Sequence, residues 1–541
     1  MPPRGKETFR FTAMQDGGAH APNSCRTCRQ RRVKCDRLLP TCQRCADLKL
    51  RCLGYERRKR LVWTNSMASR GKMMGKATFD TADEFSRRSD SEVRLLFPEP
   101  RSGEHGEREA RPSPVSVSWS LVEPGLQDLS QDCRQYIRYF DLELSKECVV
   151  YNNPSANPFL ALMPLMPGSH ALSHIMVSIS AFHFTHRIVI NHIQTPSGSS
   201  RFPTQVSEDW YSPEDHTWQK NQPNYGNSLS TAFSHKQKAL EYLKHELQVH
   251  PERNSDAVIA AVILFICLDV VEFGGRGWKH HLRGAEEMIR SRKSASRGDL
   301  DSARWLTYFD TACTTFGIMG STLAPANLSS RPPACLDPSF LQTLRHSEHQ
   351  TWVGCPAELL YLLSVIDSIR SVHHSVPERE DTIASLCSCL GAFSPSTWAK
   401  DFPDQQHYQS RYHLACTYKA AIEVYASHVI GTSSEDQYLS ESYIFDTTQR
   451  GIAHMLSIPP HDFHIKSLVW PAFVLGAETE RSDLRQAVRA TFRHIWVSSC
   501  CYNARNAARM LDKIWAWGGD GRGDKSWLEF VREREESWLF L

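Results

Sequence analysis

The sequence predicts a small metal-stabilised domain with two short helices, followed by a disordered linker and a large all-α domain. Six cysteines cluster near the N-terminus, a stretch without any apolar period follows, and the remaining chain repeats apolar residues at helical steps with almost no strand-like alternation. We therefore divide the chain into a disordered arm (1–20), a cysteine-rich module (21–63), a linker (64–127) and a helical domain (128–541).

The cysteines of the module repeat with an offset of 17 residues. In each half, two residues separate the first cysteine from the second, and six separate the second from the third. Cysteines two residues apart can chelate one tetrahedral cation from a single tight turn. The spacing therefore predicts a metal site whose ligands are Cys25, Cys28, Cys35, Cys42, Cys45 and Cys52.

Six thiolates give three ligands per ion if two ions bind separately, which leaves each tetrahedral site one ligand short. If two thiolates bridge both ions, each ion has four sulfur ligands and a closed, structural site. All-sulfur tetrahedral coordination favours zinc, with an iron–sulfur cluster as the main competitor. That competitor normally takes four thiolates per cluster and does not need mirrored halves. Six thiolates with two divalent ions leave a charge of about −2, which nearby Arg and Lys side chains would offset.

The segment from Cys25 to Cys52 resembles the fungal-type binuclear zinc cluster, the DNA-binding domain of a large family of fungal transcription regulators. The resemblance implies two zinc ions per chain, with Cys25 and Cys42 bridging them and the other four cysteines as terminal ligands. Pro40 is similar to a family proline that shapes the turn between the two halves. The partner implied by the resemblance is double-stranded DNA.

Charge is distributed unevenly along the chain. The whole chain carries 63 basic and 60 acidic residues, whereas residues 1–60 carry 16 basic and 5 acidic ones. The remainder of the chain is therefore net acidic. A compact positive module on an acidic body is typical of a protein that binds a polyanion through the module alone.

The basic side chains of the module divide into base-reading and phosphate-binding candidates. Helical spacing after Cys28 places Arg29 and Arg32 near the end of a helix, and Arg can donate two hydrogen bonds to guanine in the major groove. The resemblance implies that Arg32, at a position where Lys is frequent, reads a CGG-like triplet. Phosphate contacts would set position and salt sensitivity. The phosphate-binding candidates are Arg31, Lys34 and Arg44, and Arg26 fits either role.

A basic run follows the cysteines. Arg57, Arg58, Lys59 and Arg60 are consecutive, and such a run indicates nuclear import, additional phosphate contacts, or both. The linker is rich in Ser, Arg, Glu, Gly and Pro, a composition that cannot bury enough apolar surface to fold. No heptad series lies between the module and the helical domain. Homodimerisation and half-site spacing therefore stay open.

Helical periodicity is clear in the domain after residue 128. Cys133, Ile137, Phe140 and Leu144 follow steps of four, three and four residues, which is one face of an amphipathic helix. Ala257–Leu268 is an unbroken apolar run, shorter than the ~20 residues of a membrane span, and predicts a buried core helix with capping candidates just before it. Further predicted helices are marked by Leu172 to Phe182, Ala239 to Leu247, Glu358 to His374, Arg411 to Val429 and Leu484 to Trp517.

This helical domain resembles the fungus-specific regulatory domain that accompanies such zinc clusters. Trp278, Leu282 and Ala285 form one helical face, on which Gly284 is expected to permit a close approach, and helix packing is a simpler interpretation of them than a ligand contact. The resemblance implies regulation through effectors, partners or self-inhibition. It rests on Asn157-Pro158-Phe159 with the following Leu-rich helix, on Trp278, His281-Leu282 and Gly284-Ala285, and on Trp470-Pro471 with Gly476.

The motifs of common enzyme classes are incomplete in this chain. The glycine-rich run 274–277 lacks the Lys-Ser/Thr end of a phosphate loop, and Gly-x-Ser-x-Gly is absent. His183 and His186 could share a helical face, but no neighbouring carboxylate or cysteine completes a metal site. We therefore expect a protein that is not an enzyme.

The sequence predicts a nuclear, sequence-specific DNA-binding regulator of transcription by RNA polymerase II. The alternative is a helical ligand sensor or scaffold whose zinc module mainly mediates protein interaction. The polar start at 1–10 and the odd total of 17 cysteines argue for a reducing compartment rather than a disulfide framework. Expected partners besides DNA are the transcription machinery or coregulators and a small-molecule effector, with no membrane association.

Overall fold

The structure is a computed structural model whose residues form two units, one within 1–111 and one within 112–541. The predicted arm and linker lie outside the described residues, as do Arg32 and the basic run Arg57, Arg58, Lys59 and Arg60. The structure describes residues 21, 24–31, 33–55, 130–194, 223–249, 255–272, 277–295, 300–325, 338–371, 376–402, 405–431, 440–517, 525–534 and 538–541.

Helices are the regular structure of both units. The first unit contains two five-residue helices, α1 (Arg26–Gln30) and α2 (Gln43–Asp47). The described part of the second unit is helical and contains no strand, so the predicted fold class is confirmed. Its helices are α3 (Gln131–Tyr139), α4 (Ser145–Glu147), α5 (Pro158–Ala161), α6 (His170–Gln194), α7 (Pro223–Val249), α8 (Asp256–Glu272), α9 (Trp278–Ala295), α10 (Leu300–Ser321), α11 (Pro338–Gln350), α12 (Ala357–Ser371), α13 (Val376–Ala392), α14 (Pro395–Lys400), α15 (Tyr408–Ile430), α16 (Glu441–Leu456), α17 (Val469–Glu478), α18 (Ser482–Ser499), α19 (Tyr502–Trp517) and α20 (Trp527–Arg532).

Shorter elements connect some of these helices. A π-helical turn, Phe140–Leu144, continues α3 directly. Three 3₁₀ helices lie at Met163–Gly168, Gln405–His407 and Phe463–Leu468. The predicted apolar face of the first helix is confirmed across the junction, because Cys133, Ile137, Phe140 and Leu144 are all buried.

Helix α8 lies in the core of the helical unit. Every side chain from Ala257 to Leu268 is buried, as the unbroken apolar run predicts. The helix begins beside Ser255, whose Oγ accepts the backbone N–H of Val258 at 3.3 Å and satisfies one of the free donors of the first turn. Within the described ranges, none of the helices is both long enough and apolar enough to cross a membrane.

Helix α7 buries less of its apolar surface than its sequence indicates. Ala239 and Leu243 are buried, but Leu240 and Leu247 each leave 41% of their surface exposed. Residues seven apart lie on one side of a helix, and here that side is partly exposed to solvent. The periodicity therefore predicted the helix correctly but did not show which of its apolar side chains pack inward.

The segment Leu484–Trp517, predicted as helical throughout, is two helices. The chain turns at Cys500, which has a left-handed conformation with φ of 52°. His183 donates its Nε2–H to the carbonyl of Ser499 at 3.1 Å, and His186 donates its Nδ1–H to the carbonyl of Cys500 at 2.9 Å. The two rings thus donate hydrogen bonds to carbonyl groups at the end of α18, which would otherwise lack partners. The helix ends at Ser499, and α19 begins at Tyr502.

His183 and His186 of α6 are neutral structural donors. Both side chains are buried, and burial lowers the pKa of each to about 3. Tyr139 donates its hydroxyl hydrogen to the Nδ1 of His183 at 2.9 Å, which completes the hydrogen bonding of that ring. His183 and His186 therefore join α6 to the end of α18 instead of forming a reactive site.

The tryptophan face of α9 packs as predicted, but a different glycine makes room for it. Trp278, Leu282 and Ala285 are all buried. Gly284 faces open space, with no heavy atom within 4 Å of a Cβ placed there. A Cβ on Gly320 of α10 would instead overlap the indole ring of Trp278. The expected role of Gly284 is therefore wrong, because the close approach is made by the neighbouring helix.

We expect Gly320→Ala to destabilise the helical unit by about 1–3 kcal/mol, because the added methyl group overlaps a buried indole ring. Gly284→Ala is the matched control, since it introduces the same methyl group into open space and raises helix propensity by about 1 kcal/mol. Denaturant unfolding of the intact chain, followed by circular dichroism, measures both changes. Equal stability of the two variants would contradict the packing described above.

Candidate metal centre and nucleic-acid interface

Each half of the cysteine-rich module begins its helix at a cysteine. Cys25 precedes α1 in an extended conformation, and its sulfur accepts the backbone N–H of Cys28 at 3.3 Å. Cys42 precedes α2 in the same way and accepts the N–H of Cys45 at 3.3 Å. A sulfur at the N-cap and a second one in the first turn lie on the same side of a helix. The Cys-x-x-Cys spacing thus presents two thiols together from each helix.

The 17-residue repeat of the sequence is also a structural repeat. The N–H of Val33 donates to the carbonyl of Cys28 at 3.0 Å, and the N–H of Leu50 donates to the carbonyl of Cys45 at 2.8 Å. Arg37 and Gly54, again 17 positions apart, both have positive φ angles, of 68° and 74°. Two halves with the same backbone path bring their sulfurs to one shared centre.

The six thiols form two overlapping groups of four. One group joins Cys25 and Cys42 to Cys28 and Cys35, and the other joins the same two residues to Cys45 and Cys52, with all sulfurs of a group within 4.8 Å of one another. The sulfurs of Cys25 and Cys42 are 3.5 Å apart, and those of Cys28 and Cys42 are 3.7 Å apart. A tetrahedron with Zn–S bonds of ~2.3 Å has edges of ~3.8 Å. The geometry therefore fits two four-sulfur sites that share two sulfurs.

Burial makes these sulfurs dependent on a cation. Cys25 and Cys42 are fully buried, and burial raises the pKa of Cys25 to about 12 and that of Cys42 further. Burial also acts on Cys35, but the backbone N–H groups of Cys25 and Arg37 donate to its sulfur and lower its pKa overall. A coordinating cation deprotonates such thiols outright, because it supplies the positive charge that burial removes.

Thr27 holds the two halves of the module together. Its hydroxyl donates to the carbonyl of Arg51 at 3.0 Å and accepts the N–H of Leu53 at 3.0 Å. Arg44, the equivalent residue of the second half, donates to the carbonyl of Lys34 at 3.4 Å. Thr27 was not among the predicted site residues, although it lies one 17-residue repeat before the predicted phosphate ligand Arg44.

Asp36 connects the loop between the halves to the second helix. Its carboxylate accepts the backbone N–H groups of Leu38 at 3.0 Å, Gln43 at 2.9 Å and Arg44 at 2.9 Å. These hydrogen bonds lower the pKa of Asp36 to about 2, and the one from the N–H of Arg44 has the largest effect. The predicted turn at Pro40 lies in the same loop and contains a cis peptide bond. Asp36 was also missed, although an acidic residue shortly before a short helix is a recognisable capping signal.

The basic candidates lie on the outside of the module. Arg26 and Arg29 belong to α1, and Arg29 donates to the carbonyl of Ser24 at 3.0 Å. Arg44 belongs to α2, where its guanidinium also contacts the first half. The structure thus surrounds a buried sulfur cluster with exposed cations. Exposed side chains are those of Arg26, Arg29, Arg31, Lys34 and Arg44.

Two family models match the chain. The model described as "Fungal specific transcription factor domain" matches residues 135–541, and the one described as "Fungal Zn(2)-Cys(6) binuclear cluster domain" matches residues 23–61. The chain belongs to the fungal-specific transcription factor family. It is therefore a transcriptional regulator with a zinc-binding cluster of the kind by which this family binds DNA. Members of this family are regulators and are generally not enzymes.

The sequence of this chain is similar to those of two fungal proteins. The acriflavine sensitivity control protein acr-2 of Neurospora crassa is 24% identical over 449 residues, which cover 78% of this chain and 69% of the relative. The phomenoic acid biosynthesis cluster-specific transcriptional regulator of Leptosphaeria maculans is 23% identical over 303 residues, which cover 52% of this chain and 55% of the relative. No solved structure gives a significant match.

We expect Thr27→Val to weaken the metal-bound module by about 1–2 kcal/mol, because it removes two hydrogen bonds between the halves without changing the size of the side chain. Thr27→Ser keeps the hydroxyl group and is the matched control. The measurement is the chelator concentration that strips half of the zinc from the intact chain. Identical values for the valine and serine variants would show that the hydroxyl does not hold the halves together.

Proposed function

We propose that this family member is a nuclear regulator of RNA polymerase II genes that reads CGG-like triplets in the major groove. The single observation that carries the proposal is the pair of four-sulfur groups sharing Cys25 and Cys42, with exposed cations around them. A centre of this kind holds a short basic helix rigid. A rigid helix with arginines at its end suits direct readout of guanine.

The proposed metal content is two zinc ions per chain. Cys25 and Cys42 would bridge them, Cys28 and Cys35 would complete one site, and the remaining two cysteines would complete the other. The two groups of sulfurs support this assignment, since each contains four ligands and both contain the same bridging pair. Zinc in a closed four-sulfur site supplies folding free energy and no open position for chemistry.

The proposed DNA contacts follow from the position of each cation. Arg29 and Arg32 would read base edges, with Arg32 at the guanine of the triplet. Arg31, Lys34 and Arg44 would bind phosphates, and Arg26 would serve either role. One guanidinium N–H of Arg44 already donates a hydrogen bond to the carbonyl of Lys34. Its remaining donors are therefore those available to a phosphate.

The names of the relatives support gene regulation as the shared role. One name denotes control of acriflavine sensitivity, and the other denotes regulation of a biosynthetic gene cluster. A regulator of genes acts in the nucleus, where the genes are. The proposed import signal is the basic run Arg57, Arg58, Lys59 and Arg60.

A prediction about the metal separates bridging from terminal ligands. Elemental analysis of the intact chain should return two zinc ions per chain. Cys42→Ser should lower the zinc content more than Cys45→Ser does, because the bridging sulfur belongs to both sites and the terminal sulfur to one. Equal zinc content in the two variants, or one zinc ion in the unmodified chain, would contradict the proposal that Cys25 and Cys42 bridge two ions.

A second prediction concerns sequence preference. In a gel-shift assay, the zinc-loaded chain should prefer DNA that contains CGG over DNA that lacks it, and chelation should abolish the preference. Arg32→Ala should relax the preference at one guanine at a cost of about 1–3 kcal/mol, since a bidentate contact is lost.

Lys34→Ala is the control, because loss of a phosphate contact weakens binding to all sequences alike and reduces the salt dependence. If Arg32→Ala weakened binding to all DNA sequences equally, Arg32 would be assigned to a phosphate contact instead of a base contact. Zinc-loaded protein with no DNA preference would favour the alternative, a sensor or scaffold whose zinc module binds protein.

A further inference from the structure

Three cationic side chains lie near the C-terminal end of α10. Lys279 comes from the first turn of α9, Arg370 from the end of α12 and Arg532 from the end of α20. Lys279 follows Trp278, whose indole ring lies against Gly320 in the last turn of α10. We call these three residues the cation cluster. It belongs to the helical unit alone and is separate from the metal centre.

The two arginines cap the end of α10. Arg370 donates to the carbonyls of Ser321 at 3.0 Å and Ala324 at 2.6 Å. Arg532 donates to the carbonyl of Thr322 at 2.9 Å. The last carbonyls of a helix lack partners within the helix and carry a partial negative charge of about one half. Capping therefore explains why two guanidinium groups lie here.

Capping does not account for all the donors of the cluster. The Nζ of Lys279 and the Nε atoms of Arg370 and Arg532 are buried and have no hydrogen-bond partner among the described residues. The side chain of Arg370 is only 9% exposed. Buried donors without acceptors are rare in folded proteins, because each costs the free energy of lost hydration. Lys279 is the clearest case: it caps no helix end, and its Nζ lies 5.6 Å from the centroid of the Trp278 ring, which offers no hydrogen-bond acceptor atom.

The charges of the cluster are also unbalanced. Asp367 is the one carboxylate within ion-pair distance of these three side chains in the part of the chain that the structure describes, and it pairs with Arg370. Burial, together with the positive charges of Arg283 and Arg370, lowers the pKa of Lys279 to about 8. Three cations against one carboxylate and a helix end leave a net positive charge in a place with little water.

We propose that the cation cluster is a binding site for a small oxyanion with two or more oxygens, such as a phosphate or a carboxylate. Guanidinium and ammonium groups recognise such oxygens through charge-assisted hydrogen bonds. An oxyanion would give the free Nζ and Nε donors acceptors and would balance the excess charge. This site goes beyond the DNA-binding proposal and does not depend on it.

Binding of inorganic phosphate to the zinc-loaded intact chain, measured by isothermal titration calorimetry at constant ionic strength, tests the proposal. Lys279→Gln should weaken this binding by about tenfold to hundredfold, because one charged donor is lost. Citrate in place of phosphate distinguishes a carboxylate site from a phosphate site, and chloride should not compete. The variant should remain folded, since the Nζ of Lys279 makes no hydrogen bond with the described residues.

Two controls separate this site from other cations. Lys244→Gln removes one exposed lysine of α7 and should leave binding unchanged. Arg31→Gln with Lys34→Gln removes proposed phosphate contacts of the zinc module, and binding at the cation cluster should survive it. Absence of oxyanion binding, or equal affinity in Lys279→Gln and the unmodified chain, would overturn the proposal.

Discussion

Packing of six cysteine sulfurs into two groups of four that share Cys25 and Cys42 is the constraint on which the N-terminal module depends. The module has almost no apolar core: its buried centre consists of Cys25, Cys28, Cys42 and Cys45, with a few partly buried side chains around them. A domain of this size usually needs a metal or disulfides to fold, because it cannot bury enough apolar surface. Because the two central sulfurs are also the N-caps of α1 and α2, the same atoms position the ligands, the helices and the basic side chains they carry.

The helical unit depends on a different interaction. The carbonyl groups at the ends of its buried helices need hydrogen-bond donors, and side chains from other helices supply them. At the end of α18, His183 and His186 donate to the terminal carbonyls; at the end of α10, Arg370 and Arg532 do so. Neutral imidazoles satisfy the carbonyls without adding charge. Guanidinium groups satisfy them too, but bring more donors and more charge than one helix end can balance. This difference is why the second of these sites, and not the first, is suited to a ligand.

The two cationic regions of the chain differ in their exposure to water. The described arginines and lysines of the module lie on its outside, where salt screens them and where a long polyanion can displace counterions. The cation cluster of the helical unit is partly buried, so screening is weaker there than at the surface, and the match to an anion depends on size and hydrogen-bond geometry. A regulator that combines the two could bind nucleic acid through one and a small anion through the other without competition between them.

The sequence by itself determined the fold class, the core helix and which six cysteines form the sulfur cluster, because these depend on local spacing: two and six residues between cysteines, and an unbroken apolar run from Ala257 to Leu268. Tertiary structure alone decided which glycine accommodates Trp278 and where the helix after Leu484 breaks, since Gly320 and the rings of α6 come from distant parts of the chain. The cation cluster was hidden for the same reason. Spacing along a chain reveals neighbours within one element, whereas packing between elements depends on how they fold onto each other.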